Sequence, residues 1–190
     1  MPSTIYEKCE KLLCDREKII LKKSNNNNNA FTLDFDVINP NVMLRNLIDL
    51  KLYKLMFALN KDVLEKVETL SVRDDGSHDV LLVFKRFGSE LGIAQKYMHL
   101  NTTLEKDADG GNIRILSRST DYMEGIQGCD PVNSKYADLI VSFKTDHHVG
   151  VKYAFHMDTT DELPTYMENI VGMLMKKIFF RLKTFIENIS

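Results

Sequence analysis

The chain has 190 residues, with 25 Lys and Arg against 27 Asp and Glu for a formal charge of −2, and 44% of its residues are apolar. That length suits one domain able to bury roughly 70% of its unfolded surface, and the near-neutral charge offers no basic face to nucleic acid. No run approaches the roughly 18 apolar residues of a membrane span, Met1 to Ser24 is too charged for a secretory signal, and Cys9, Cys14 and Cys129 are too few for a disulfide framework. The expectation is a reduced, intracellular, cytoplasmic protein forming a single domain over residues 1–190.

Residues 4–23 read as a helix: Ile5, Cys9, Leu12, Leu13, Ile19 and Ile20 recur near a 3.6 period, with Glu7, Lys8, Lys11, Arg16 and Lys22 on the other face. Ser24 and the asparagines Asn25 to Asn29 follow as a linker or loop, since Asn competes for its own backbone. The period then changes to two. Phe31, Leu33, Phe35 and Val37 alternate with Thr32, Asp34 and Asp36, which marks a half-buried strand. Asn39 and Pro40 turn the chain into one or two short helices over Val42 to Leu59.

Strands fill the next hundred residues. Leu64 to Arg73 and His78 to Phe87 flank the turn Asp74-Asp75-Gly76, and Gln95 to Leu104 and Ile113 to Thr120 flank Asp107 to Asn112. An irregular stretch, Tyr122 to Tyr136, carries Gly125, Gly128 and Pro131. Asp138 to Thr145 and Val149 to Asp158 form a hairpin around Asp146-His147-His148. The end of the chain, Glu162 to Ile189, is one helix of roughly 40 Å, with Leu163, Met167, Ile170, Leu174, Ile178, Leu182, Phe185 and Ile189 as its apolar stripe. A run of strands followed by such a helix is an α+β layout in which a curved antiparallel sheet accepts the helix on its concave face.

This element order is the helix-grip plan, and one stretch adds specificity. Val149 to Asp158, followed by Glu162-Leu163-Pro164-Thr165-Tyr166-Met167-Glu168-Asn169-Ile170-Val171, resembles the close of a START (StAR-related lipid transfer) domain. There a last strand ends in Asp, a polar turn leads to a Leu-Pro pair, an aromatic follows, and an Asn opens the long helix. Lys96-Tyr97-Met98-His99-Leu100 takes the place of the family's Arg-Asp-Phe/Tyr strand, and Ile113 to Asp121 resembles the next one. The chain has no Trp, with Tyr166 as the nearest substitute, and Lys96-Tyr97 replaces the Arg-Asp pair, so no headgroup contact is carried over. The sequence is thus similar to a divergent START domain of the Bet v 1-like group.

The resemblance implies a cavity between sheet and helix that holds a lipid or sterol-like ligand, and transfer of that ligand between membranes through transient contact with a membrane surface. No residue pattern points to catalysis, a cofactor or a metal, and the near-neutral charge points away from nucleic acid, so the expectation is a non-enzymatic protein, cytoplasmic and peripheral to membranes; the fold alone does not exclude catalysis, and a small enzyme acting on an apolar substrate is a third reading. Alternation names the inward positions: Leu82 and Phe84, Met98 and Leu100, Ile115 and Ser117, Val141 and Phe143, Tyr153, Phe155 and Met157, joined by Met167, Ile170 and Leu174 on the helix. From periodicity alone these residues either line a cavity or fill a core, and a filled scaffold acting as a protein-interaction module is the alternative. The flexible Met167, Met173 and Met175 suit an adaptable wall or an irregular core equally.

Other features have plainer readings. Arg114 and Arg118 share a strand face opposite Ile113 and Ile115, which puts them toward solvent. His147-His148 sits in a turn without carboxylate or thiol partners at metal-ligand spacing, and Asp107 to Asn112 is a turn rather than a calcium loop, with Arg118 where the closing Glu belongs. Gly125 and Gly128 are candidate hinges of a gate at the cavity mouth. Lys176, Lys177, Arg181 and Lys183 are either a membrane-docking patch or a solvated helix face. Phe155→Asp should unfold the domain or abolish ligand uptake, because it puts a charge on the inner face; unchanged melting and unchanged uptake would overturn the strand register.

Overall fold

Alternating apolar and polar residues commit most of this chain to strands, and the strands assemble into one antiparallel sheet. The computed structural model describes residues 11–24, 29–50, 52–87, 89, 92–121, 125–159 and 164–190. Its strands are β1 (Lys11–Arg16), β2 (Ile19–Lys23), β3 (Ala30–Ile38), β4 (Leu64–Val72), β5 (His78–Phe84), β6 (Gln95–Lys106), β7 (Asn112–Ser119), β8 (Cys129–Pro131), β9 (Ser134–Thr145) and β10 (His148–Met157). A 3-10 turn (Leu44–Asn46) and helix α1 (Leu52–Leu59) join β3 to β4, and helix α2 (Thr165–Asn188) closes the chain.

The sheet order is β1-β2-β3-β10-β9-β7-β6-β5-β4, with the short β8 pairing parallel to the start of β6. The last strand, β10, therefore inserts beside β3 through a register running from His148 opposite Ile38 to His156 opposite Ala30. Inward positions along the sheet, including Phe31, Leu33, Phe35, Leu82, Met98, Leu100, Ile115, Val141, Val151 and Phe155, join Met175, Phe179, Leu182 and Ile186 of α2 in one apolar cluster. On the outer face Leu81, Val83 and Tyr97 are also buried, under Ile126 and Cys129. That second cover explains why β5 reads as a continuous apolar run rather than a strict alternation.

The expected N-terminal helix is not there: residues 11–23 form the hairpin β1–β2, and β2 pairs with β3. The hairpin turns on Glu17 and Lys18 with φ of 59° and 58°, left-handed values usually signalled by Asn-Gly. Cys14 consequently lies on a strand; Cys9 and Asn25 to Asn28 are outside the described residues, while Asn29 is buried. The irregular stretch before β9 contains β8, and its Gly125 and Gly128 take left-handed backbone at φ 60° and 75°. Helix α2 begins at Thr165, with Pro164 before it, and residues 160–163 are outside the described ones.

Helix α2 is fixed to the sheet at both ends. In its first turn the buried Glu168 accepts both hydrogen bonds of the buried Lys23, at the end of β2, at 2.5 Å. One turn on, Gly172 lets the hairpin approach so closely that a Cβ there would stand 3.0 Å from Leu21. At the other end the fully buried Asn39 donates from its amide to the carbonyls of Ile186 and Ile189, at 2.6 and 2.8 Å. Glu168→Ala leaves Lys23 buried without its counter-charge and should cost about 3–5 kcal/mol in denaturant unfolding. The double replacement Lys23→Met with Glu168→Leu should recover most of that loss; an additive loss would show that the pair is not coupled.

Candidate functional site

Between its two attachments α2 does not rest on the sheet along its whole length. Its C-terminal half is packed: Phe179, Leu182 and Ile186 meet Phe35, Val37, Leu44 and Val149 around a residual gap of about 40 Å³. Its N-terminal half spans a cavity of about 410 Å³. The division falls at Phe179, whose ring lies tilted at 4.7 Å from that of Tyr153 and 6.0 Å from that of Phe35, an aromatic cluster on the packed side of the cavity.

The walls come from alternate residues of several strands. Leu82 and Phe84 of β5, Met98 and Leu100 of β6, Ala137 of β9, and Tyr153, Phe155 and Met157 of β10 line the sheet side. Met167, Ile170, Val171, Leu174, Met175 and Ile178 line the helix side, and Tyr53 and Met56 of α1 close a third side. Apart from the tyrosines Tyr53 and Tyr153, the polar lining residues are Lys96, Asn133, Asp158 and Thr159, at the mouth. Asp158 donates its backbone N–H to Asn133 O at 2.8 Å, Val132 N–H donates to Tyr97 O at 2.7 Å, and Lys96 is paired with Asp130 at 2.8 Å. The rim is thereby tied between β6, β8 and the end of β10.

Of the positions expected from alternation, Leu82, Phe84, Met98, Leu100, Tyr153, Phe155, Met157, Met167, Ile170 and Leu174 all border the cavity. Val141 lines the small residual gap instead. Ile115 and Phe143 are core residues further along the sheet, Phe143 lying under the Arg45 guanidinium at 4.3 Å. Ser117 stands behind the cavity, 2.8 Å from the Tyr53 hydroxyl and 3.0 Å from that of Thr102. The expected lining set left out Tyr53, Met56, Ala137, Val132 and Ile178, although Met56 and Ile178 lie on the apolar sides expected of their helices; a helix as short as α1 has too few turns for its periodicity to say what its apolar side meets.

The basic cluster of α2 is not a free patch. Lys176 pairs with Glu17 at 2.9 Å and Lys177 with Asp62 at 2.7 Å, Arg181 also binds Asp62, and the buried Lys183 donates to Asp36 O at 2.6 Å and to Glu187. Met173 points outward at 61% exposure and Phe185 is 39% exposed, so neither belongs to the covered stripe. Arg114 and Arg118 face outward as expected, with Arg114 gripping the buried Asp138 through two bonds at 2.8 and 2.9 Å. Among the described residues no three His, Cys, Asp or Glu side chains gather, and no helix is long and apolar enough to cross a membrane.

The chemistry of this site is that of a solvent-poor, apolar container. A volume of about 410 Å³ would take on the order of a dozen waters, each needing two to four polar partners that these walls lack. Its size lies within the 300–1,000 Å³ range of small-molecule sites. Burial raises the pKa of the Tyr53 phenol, against smaller opposing effects of hydrogen bonds from Ser117 and Thr102, so the closed end of the cavity disfavours an anion.

The fold matches solved structures that share almost none of the sequence. The human StarD13 (DLC2) lipid transfer and protein localization domain superposes with a TM-score of 0.73 at 11% identity, over 94% of this chain and 89% of that one. The chain has the START fold. Human STARD10 matches with a TM-score of 0.67 at 11% identity, over 94% of this chain and 77% of that one. A STAR-related lipid transfer protein from Xanthomonas axonopodis matches at 0.65 and 16% identity, over 93% of this chain and 97% of that one. No protein-family model and no curated protein matches the sequence.

An open interior can be probed by enlarging a wall residue. Ala137→Leu of the START-fold cavity projects three more carbons inward and should leave the melting temperature unchanged or raise it, because empty volume is destabilising. A loss of about 1–3 kcal/mol, the usual cost of overpacking, would show that the wall is already filled.

Proposed function

We propose that the chain is a non-catalytic carrier that binds one lipid or sterol-like molecule in the cavity and moves it between membranes. The observation that supports this best is the cavity: about 410 Å³, apolar along strands and helix, with polar side chains gathered at its mouth. An amphiphile placed with its apolar body inside satisfies that distribution. The START fold adds support, since solved structures with the same fold are titled lipid transfer proteins. An unfilled interior argues against a scaffold without a ligand.

Energetics suit exchange rather than storage. Each methylene leaving water gains about 0.8 kcal/mol, so a chain of some sixteen carbons gains roughly 12 kcal/mol. A bilayer offers nearly the same gain, and the carrier needs only parity with it, leaving the opening step to set the rate. Opening is assigned to the rim formed by Pro131 to Asn133 and the first turns of α2, with Gly125 and Gly128 as hinges. The protein meets the membrane transiently and at that rim.

Purified protein mixed with donor vesicles containing the fluorescent sterol dehydroergosterol or an NBD-labelled phospholipid should take up at least one of the two and speed its appearance in acceptor vesicles. Met98→Trp, which fills the cavity, should reduce uptake about tenfold or more. If neither probe is taken up or transferred, and native mass spectrometry finds no lipid on the purified protein, the carrier reading fails.

A further inference from the structure

Strand β4 ends the sheet, and among the described residues β5 is its only strand partner. Its far side therefore presents a row of backbone N–H and C=O groups open to another strand. Of its nine residues only Leu64 is buried and Val67 half-buried, while the apolar Leu70 and Val72 stay exposed. The register against β5 slips between Leu64 and Lys66 and again between Thr69 and Ser71. Between the slips Lys66, Val67, Glu68 and Thr69 face Val83, Leu82, Leu81 and Val80 without a break.

Alternation sorts this regular run by face. Leu82 lines the cavity, so Val67 opposite it lies on the concave side. Lys66 and Glu68 share the outer face and pair with each other at 2.6 Å, their side chains 55% and 46% exposed. Edge charges normally keep a second strand away. Here one charge of each sign flanks Val67, and that pattern is complementary to itself. A two-fold antiparallel pairing must set one residue opposite its own copy, because facing pairs alternate between hydrogen-bonded and non-hydrogen-bonded types. Centred on Lys66 or Glu68, the pairing brings like charges face to face; centred on Thr69, it sets Glu68 against Leu70. Centred on Val67, it sets Lys66 of each copy opposite Glu68 of the other, and four charges of alternating sign form a square.

We propose that β4 is a homodimerisation edge, at which two copies of this chain join antiparallel about a two-fold axis at Val67 and continue one sheet into the other. Backbone hydrogen bonds hold the two strands together, and the square of Lys66 and Glu68 charges fixes the register and disfavours partners of another charge pattern. Val67 meets its own copy on the concave side, extending the apolar row that begins at Leu82. One strand pair buries less area than a standard interface, so the dimer is weak and depends on concentration. The inference stands apart from the carrier reading and uses none of the residues at the mouth of the cavity.

Sedimentation velocity of the full chain, over a dilution series from high to low micromolar, tests this. The wild type should pass from dimer to monomer along the series. Lys66→Glu sets acid against acid across the axis and Glu68→Lys sets base against base, so each alone should weaken the dimer about tenfold or more. Mixing the two single variants in equal amounts puts opposite charges face to face again and should restore a dimer. Lys66→Glu combined with Glu68→Lys in one chain should restore it as well. Both side chains are exposed, and melting curves check that each variant is folded; if one single variant is not, the other and the double variant carry the comparison. A wild type that stays monomeric at every concentration overturns the proposal. So does a dimer that the single variants leave unchanged, or a loss that neither the mixture nor the double variant recovers.

Discussion

Everything in this molecule depends on how α2 is held. Lys23 and Glu168 fix its first turn to the end of β2, and Asn39 takes the carbonyls of its last turn at the end of β3. A helix fastened at both ends of a curved surface cannot settle into the curve along its whole length. The C-terminal half has Phe179, Leu182 and Ile186 to reach the sheet. Toward the N-terminus the methionines, isoleucine and leucine of the inner face stop short, and the space beneath them is the cavity. Interior volume on this scale is destabilising in an ordinary core, so the attachments that maintain it are strong ones, including a buried ion pair.

Further attachments run along the flanks of α2. The hairpin β1–β2 lies along one flank of α2, with Lys23, Leu21 and Glu17 meeting Glu168, Gly172 and Lys176 at successive turns. Asp62, just before β4, ties down Lys177 and Arg181. The mouth is rimmed by hydrogen bonds that join β6, β8 and the end of β10, Val132 N–H to Tyr97 O and Asp158 N–H to Asn133 O. Cations that look like a surface patch in the sequence are thus spent on holding the helix.

The strands were legible because burial on one face writes a two-residue period. Phe31 to Val37, Gln95 to Leu104 and Val149 to Met157 all lie in the strands their alternation predicts, and the inward set chosen from that alternation supplies most of the sheet side of the cavity. The N-terminal segment misled for a physical reason. Its apolar residues also fit a helical period over a short window, and Glu17-Lys18 carries no glycine or asparagine to advertise a left-handed turn. Pairing of β2 with β3, a contact made only after the chain has folded back, decided between the two. Likewise the expected stripe on α2 was right at Ile178 and Leu182 and wrong at Phe185, since the hairpin flanking the helix shifts its covered face toward Glu168, Gly172 and Lys183.

The sequence by itself determined the α+β class, the antiparallel strands, the long closing helix and which side chains turn inward, because each is written in local spacing and in the period of burial. Only the tertiary structure decided that the inward residues face a void instead of each other, that the void ends at Tyr53 and Phe179, and that three hydroxyls from α1, β6 and β7 meet there. Those outcomes depend on distances between elements far apart in the chain, set by the two ends of α2 and the curvature of the sheet, and no pattern along a single segment encodes a distance of that kind.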